Sequence, residues 1–446
     1  MSEYNKQEIS RRDFLKMSGI GLSAFFGEPI IKKLEISEPY SESKNTVLFR
    51  KDRVMTVNKD PVFPLGLYYL PGPEKPDSWQ KISEAGLNTI SQWWVNENNL
   101  LLAEKYGINT MAFLPYAFPD EDKYGSVDIG VLDMLRKSKS FIGYYGGDEP
   151  DLTLSRSLYS NLLRDLGRMD PQHPDMAVFA ENPNIADSSF YDIREYKIKY
   201  KGHPDDLSGL PDYITDDLFK FWYIEKSGTE IVSFDYYHNS SIDDIVSVGK
   251  VVEKYIHNLR SGKFGTNAKS VWVTLSAHSE APLTLESMRF QAIDVIARGA
   301  TGVFWWDWPP GCSKINCTGY PEKGNGYFLH WDKLQSISGE LDLVKDGLEG
   351  QELFLGVSQS GSVAYKVSRS RLGRHYVFAA CESSVSNFGR KETISVNFPN
   401  KRFHVLGEGR EVISDEKGNL VDDFGPLGSR IYVSDKSENK HIDRLK

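Results

Sequence analysis

The chain has 446 residues, 40% of them hydrophobic and 12% aromatic, so it can bury a large core and is too long for one small domain. Its formal net charge of -9 argues against nucleic-acid binding, which needs a basic face that displaces counterions. The 9 Trp and 23 Tyr suit a sugar-binding cleft, but such residues also fill ordinary cores. Composition alone therefore favours a carbohydrate ligand only slightly.

The N-terminus resembles a twin-arginine export signal. Arg11 and Arg12 lie in the motif SRRDFLK, and a modestly apolar run over 17–27 follows it. This run is too short to form a stable membrane span. Residues 28–45 are polar and typical of a linker. Residues 1–45 are thus predicted to be signal peptide and linker, and the protein to be exported to the periplasm or the medium.

Eight short apolar, β-branched or aromatic runs come next. They are mostly continuous rather than alternating, which is typical of parallel strands covered on both faces. The runs cover residues 62–70, 88–94, 109–115, 141–147, 176–180, 231–237, 271–277 and 302–308. Helical patterns between them end at glycines, as in 78–86, 98–107 and 284–299. Alternating β and α units with right-handed crossovers predict a (β/α)8 TIM barrel over residues 46–345.

Two regions depart from this alternation. Residues 183–229 are long, polar and acidic, and we interpret them as an enlarged loop after the fifth strand, with a helix around 212–226. Residues 350–436 alternate with a period of two, which predicts a small C-terminal antiparallel β-sandwich packed against the barrel. Residues 437–446 are expected to form a tail.

The 3 cysteines carry separate expectations. Cys312 and Cys317 share one loop and could close a disulfide in an oxidising compartment. Cys381 lies in an apolar run and is expected to be a buried filler.

In a barrel of this kind the active groups lie at the C-terminal ends of the strands. In chain order these ends offer Tyr68 and Tyr69, Gln92, Trp93 and Trp94, Asp148 and Glu149, Glu181 and Asn182, Asp235, Tyr237 and His238, His278 and Glu280, and Trp306, Asp307 and Trp308. This rim is acidic and aromatic, without the Gly-rich loops of a phosphate-binding barrel. HxH and HExxH spacings are absent, so we expect no metal and no cofactor.

Acids among aromatic residues are what glycoside hydrolysis requires. One carboxyl protonates the leaving oxygen, and a second, ionised one stabilises or attacks the cation-like carbon. Burial against aromatic rings raises the pKa of the first. Glu149 is placed for that role, because Gly146 and Gly147 let a ligand approach and Pro150 fixes the departing backbone. Strand alternation means that only one of Asp148 and Glu149 need face the pocket.

The order of strands, the strand-four acids and the phrase RFQAIDVIARGATGVFWWDW resemble the clan A type glycoside hydrolase barrels over residues 61–311. The similarity is to branches that end strand four in Asp-Glu-Pro. It implies a retaining hydrolase with Glu149 as acid/base. Asp148 stands where that clan usually has Asn, and the nearest Glu after strand seven is Glu280, a few residues into the loop. Asp235 or Asp307 could instead supply the second carboxylate.

Two other interpretations stay open. The stretch GGDE is similar to the acid pair of β-hexosaminidase barrels, which implies that Asp148 orients an acetamido nucleophile while Glu149 donates the proton. A barrel that binds carbohydrate without cleaving it, with a degenerate site, would explain the weak strand-seven acid. The candidate catalytic residues are Glu149, Glu280 and Asp235, and the candidate substrate-binding residues are Asp148, Tyr68, Trp93, Tyr237, His278, Trp306 and Asp307. The expected partner is an oligo- or polysaccharide.

Overall fold

The computed structural model describes most of the predicted barrel and sandwich. The described residues are 43–68, 76–92, 95–113, 129–148, 150, 156–180, 191–192, 213–214, 216–236, 242–279, 284–306, 328–329, 331–382 and 390–435. The predicted export signal, Cys312, Cys317 and the C-terminal tail lie outside these ranges. Cys381 is described, and it is buried and unpaired as expected.

A three-stranded antiparallel sheet precedes the barrel and consists of β1 (Val47–Phe49), β2 (Met55–Val57) and β3 (Asp60–Val62). The β2–β3 turn contains Asn58 and Lys59, both with positive φ, as a two-residue type I′ hairpin requires. This sheet was not predicted from the sequence.

The eight predicted barrel strands are confirmed. The strands that follow β3 are β4 (Leu65–Tyr68), β5 (Thr89–Gln92), β6 (Asn109–Phe113), β7 (Phe141–Asp148), β8 (Asp175–Ala180), β9 (Tyr191–Asp192), β10 (Tyr213–Ile214), β11 (Ile231–Tyr236), β12 (Ser270–Ser276), β13 (His278–Ser279), β14 (Gly302–Trp306) and β15 (Phe328–Leu329). Strands β4 to β8, β11, β12 and β14 form one closed parallel barrel. The short strands β9 and β10 pair with each other, as do β13 and β15.

Helices connect the barrel strands. They are α1 (Pro76–Glu84), α2 (Glu97–Tyr106), α3 (Ile129–Arg136), α4 (Arg156–Met169), α5 (Asp216–Ser227), α6 (Ile242–Arg260), α7 (Leu285–Ala297), α8 (Trp331–Leu343) and α9 (Lys345–Leu348). The cap residues act as predicted: Thr284 accepts a hydrogen bond from the amide of Ser287, and Gly107 ends α2 in the left-handed conformation. No helix in the described ranges combines the length and the apolar character needed to cross a bilayer.

Bulky side chains fill the barrel opposite glycines. The Trp272 and Phe304 rings stack with centroids 5.5 Å apart. A Cβ atom added at Gly302 would lie within 3.0 Å of the Trp272 indole, and one added at Gly66 would overlap the Phe304 ring. These glycines therefore provide the space in which the large rings of the core lie.

The predicted sandwich is confirmed as two antiparallel sheets. Its strands are β16 (Gln351–Val357), β17 (Val363–Arg369), β18 (His375–Cys381), β19 (Arg390–Ser395), β20 (Arg402–Val405), β21 (Arg410–Ile413), β22 (Asn419–Phe424) and β23 (Ser429–Ser434). Strands β19 and β22 form one sheet, and the other six form the second. Arg289 of α7 joins the two domains, because its guanidinium donates to the Ser429 carbonyl at 2.7 Å and pairs with Glu340 of α8 at 2.6 Å.

Candidate active site

Contacts across the barrel show which side chains point into it. Tyr68 ends β4 and Tyr145 lies on β7, with two strands between them in the sheet. Their hydroxyls are hydrogen-bonded, and their rings meet edge to face at 5.4 Å. The Phe113 ring, at the end of β6, lies 5.6 Å from that of Tyr145. These three rings form an aromatic floor near the C-terminal end of the barrel.

Asp235 lies on the inward face of β11. It is in register with Thr274, which is in register with Phe304, a residue of the barrel interior. The next residue, Tyr236, faces outward, because its hydroxyl is hydrogen-bonded to Ser247 of α6. The Asp235 side chain is only 2% exposed. One predicted acid is therefore buried inside the barrel, one residue before the end of its strand.

The two tryptophans that end β14 lie on opposite faces. Trp306 follows Phe304 by two residues and is in register with Ser276, so it belongs to the inward face and is partly exposed. Trp305 is in register with Leu67 on the outward face and is 1% exposed. Trp306, rather than Trp305, is thus placed to line a cavity above the floor.

Strand β7 carries an extra residue just before the acid pair. Tyr145 is in register with Met176, whereas Gly147 and Asp148 are in register with Ala177 and Val178. One residue of β7, Gly146, has no partner on β8, which is the pattern of a β-bulge. The strand ends at Asp148.

The structure brings three of the predicted site residues to one end of the barrel: Tyr68, Asp235 and Trp306. Asp148 and His278 are described by their backbone alone. His278 pairs with Leu329 in the small β13–β15 sheet, which connects the loops that follow β12 and β14. The other candidates lie outside the described residues; they are Trp93, Glu149, Tyr237, Glu280 and Asp307.

Three further inward-facing residues were missed from the sequence: Phe113, Tyr145 and Ser276. Tyr145 lies three residues before the end of β7, so a search restricted to strand ends passes over it. Strand alternation could have found Ser276, because Thr274 and Ser276 lie on the same face of one strand.

The described end of the barrel has the chemistry to hold a polyhydroxylated ring. Aromatic faces at Tyr145 and Trp306 can pack against the C–H faces of a sugar. The carboxyl of Asp235 can accept hydrogen bonds from hydroxyl groups. Within the described ranges, no three His, Cys, Asp or Glu side chains are grouped so that they could hold a metal ion.

No protein-family model and no curated protein sequence matches this chain. Among solved structures, it is similar to an alpha-L-arabinofuranosidase from Thermotoga maritima in an arabinose complex, with 9% identity, a TM-score of 0.49, and coverage of 89% of this chain and 98% of that one. It is also similar to the GH51 arabinofuranosidase from Xanthomonas axonopodis pv. citri, with 6% identity, a TM-score of 0.48 and the same coverage. A glucosidase from Croceicoccus marinus has 11% identity and a TM-score of 0.46, over 84% of this chain and 96% of that one. Identities this low give no information on the substrate.

Proposed function

We propose that the protein is a glycoside hydrolase that cleaves O-glycosidic bonds of an oligo- or polysaccharide with retention, and that Glu149 is its acid/base. The observation that carries this proposal is a closed parallel barrel whose inward face joins a buried acid, Asp235, to the aromatic floor at the end where active sites lie. The acid pair of β7 leaves the barrel at the same end.

In the proposed reaction, Glu149 protonates the leaving oxygen, and a second carboxylate attacks the anomeric carbon. Water then releases the sugar, with Glu149 acting as base. Asp235 is a candidate for the second group, because β7 and β11 are separated by β8 alone. Two interstrand spacings put their backbones about 10 Å apart. Side chains that converge from that distance can reach the carboxyl separation of about 5–5.5 Å that retention requires. Glu280 and Asp307 are the other candidates.

The register of β7 supports a second mechanism. Asp148 lies beside Val178, two residues beyond the partner of Tyr145, at a position of the inward face. An acid at that position suits the acetamido-assisted mechanism, in which Asp148 orients the N-acetyl group of the substrate and Glu149 donates the proton. A preference for N-acetylhexosaminides over the corresponding hexosides would distinguish this mechanism from the two-carboxylate one.

A panel of aryl glycosides and natural glycans tests the function. Once a substrate is found, Glu149→Gln should lower kcat on substrates with a poor leaving group by about 10²–10⁴-fold, because general acid catalysis typically contributes that much. Glu97→Gln, at an exposed position of α2, is the matched control. Unchanged turnover by Glu149→Gln would refute the assignment. Circular dichroism should show the same fold in both variants.

We also propose that the protein reaches its substrate outside the cytoplasm, by the twin-arginine route. The motif around Arg11 and Arg12 and the apolar run that follows it support this proposal.

A further inference from the structure

The bulge in β7 decides which residue occupies the last inward position of the strand. Tyr145 faces into the barrel, so its register partner Met176 belongs to the inward face of β8, and so does Val178, two residues later. In a regular ladder Gly147 would lie beside Val178. Because the bulge adds one residue, Asp148 lies there instead.

A shift of one residue exchanges the two faces of a strand. Without the bulge, Asp148 would take an outward position, and the next inward position would pass to residue 149. With the bulge, the backbone of Asp148 is held beside Val178, next to Ser233 on the neighbouring strand β11. The same strand β11 carries the buried acid Asp235, two residues further on.

We propose that Gly146 is a positioning residue for the acid pair: as the extra residue of the β7 bulge, it places Asp148, rather than Gly147, at the inward position beside Val178 and so sets the path on which Glu149 leaves the barrel. This inference rests on the proposed glycosidase function for its catalytic consequence, but the register it describes is independent of that function.

The packing around Gly146 explains why the bulge residue is a glycine. A Cβ atom added there would lie 3.0 Å from the Tyr159 hydroxyl oxygen, 3.4 Å from Leu163 Cδ2 and 3.5 Å from the Met176 carbonyl oxygen. Tyr159 and Leu163 both lie on α4 and are buried. A side chain at position 146 would therefore push the bulge away from α4 by a few tenths of an ångström, and the acid pair would move with it.

Disulfide trapping tests the register without any activity. Adjacent parallel strands have Cα atoms about 4.8 Å apart, within the range of about 4.4–6.8 Å that a disulfide spans. Asp148→Cys combined with Val178→Cys should cross-link on mild oxidation, as identified by peptide mapping. Gly147→Cys combined with Val178→Cys should not cross-link. The reverse pattern would overturn the proposal.

Kinetics test the positioning role. Gly146→Ala should lower kcat about tenfold with little change in KM, because small misplacements of catalytic groups are costly. Adding Tyr159→Phe removes the contacting oxygen and should restore most of kcat. Gly167→Ala is the control, since an added Cβ meets nothing within 4 Å there. Wild-type kcat in Gly146→Ala, or no rescue by Tyr159→Phe, would overturn the role. If the wild-type protein cleaves no glycoside, the function fails by itself and the cross-linking result still decides the register.

Discussion

Replacing Asn45 with Ala should destabilise the barrel through its base. The Asn45 side chain is 3% exposed and donates hydrogen bonds to the carbonyls of Lys139 at 2.7 Å and Phe141 at 2.8 Å. It also accepts one from the Asn58 amide at 2.8 Å. The alanine variant loses all three bonds and leaves buried partners unsatisfied. At about 1 kcal/mol for each bond, and more where a partner is orphaned, the free energy of unfolding should fall by about 2–4 kcal/mol.

Urea denaturation followed by tryptophan fluorescence measures this loss as a lower midpoint at unchanged slope. Asn98→Ala provides the matched control, because Asn98 is exposed on α2 and should change stability by less than about 0.5 kcal/mol. If Asn45→Ala matched that control, the bonds to Lys139 and Phe141 would contribute nothing, and the argument that the N-terminal sheet holds the start of β7 would be refuted.

Two further predictions concern pH and export. Burial raises the pKa of Asp175 to about 7, although the Thr229 hydroxyl donates to it at 2.6 Å. The folded state therefore keeps a proton that the unfolded state releases above about pH 4, so stability should fall as pH rises from about 4 to 7, and Asp175→Asn should flatten that slope in urea titrations. Replacing Arg11 and Arg12 with Lys should abolish export of an otherwise folded protein, and cell fractionation that finds the double variant outside the cytoplasm would contradict the predicted signal.

The sequence predicts the barrel because its signal is strong and local. Each strand is a continuous apolar run, and glycines such as Gly86, Gly107 and Gly299 end helices with positive φ. The boundary of the first strand was wrong by three residues: Val62 belongs to β3, and β4 begins at Leu65 after Pro64. An unbroken apolar run conceals such a change of pairing partner.

The N-terminal sheet escaped prediction for a different reason. Its turn uses Asn58 and Lys59, both in the left-handed region, with φ of 53° and 75°. Asn is common at such positions, but Lys replaces the glycine that usually marks a two-residue hairpin. The strands on either side have only three residues each, so alternation gives little additional signal.

The candidate site could be located from the sequence but not oriented. The rule that active groups lie at the C-terminal strand ends leads to Tyr68, Asp235 and Trp306. Whether Trp305 or Trp306 faces inward depends on how the barrel closes, because both residues are aromatic and adjacent. The same holds for the end of β7, where a pattern of alternation counted along the chain cannot detect the residue that the Gly146 bulge inserts.

The sandwich supports the barrel through α7, the helix that leads into β14. Residues 290–297 of α7 are all buried, so this helix has no solvent face and lies between the two domains. Just after its end, Arg298 pairs with Glu253 of α6 and with Glu382, which follows β18 of the sandwich. Removing the sandwich would expose one side of α7 and leave Arg298 without one of its partners. Because α7 precedes the strand that ends in Trp306, the sandwich contributes to the site by fixing that strand.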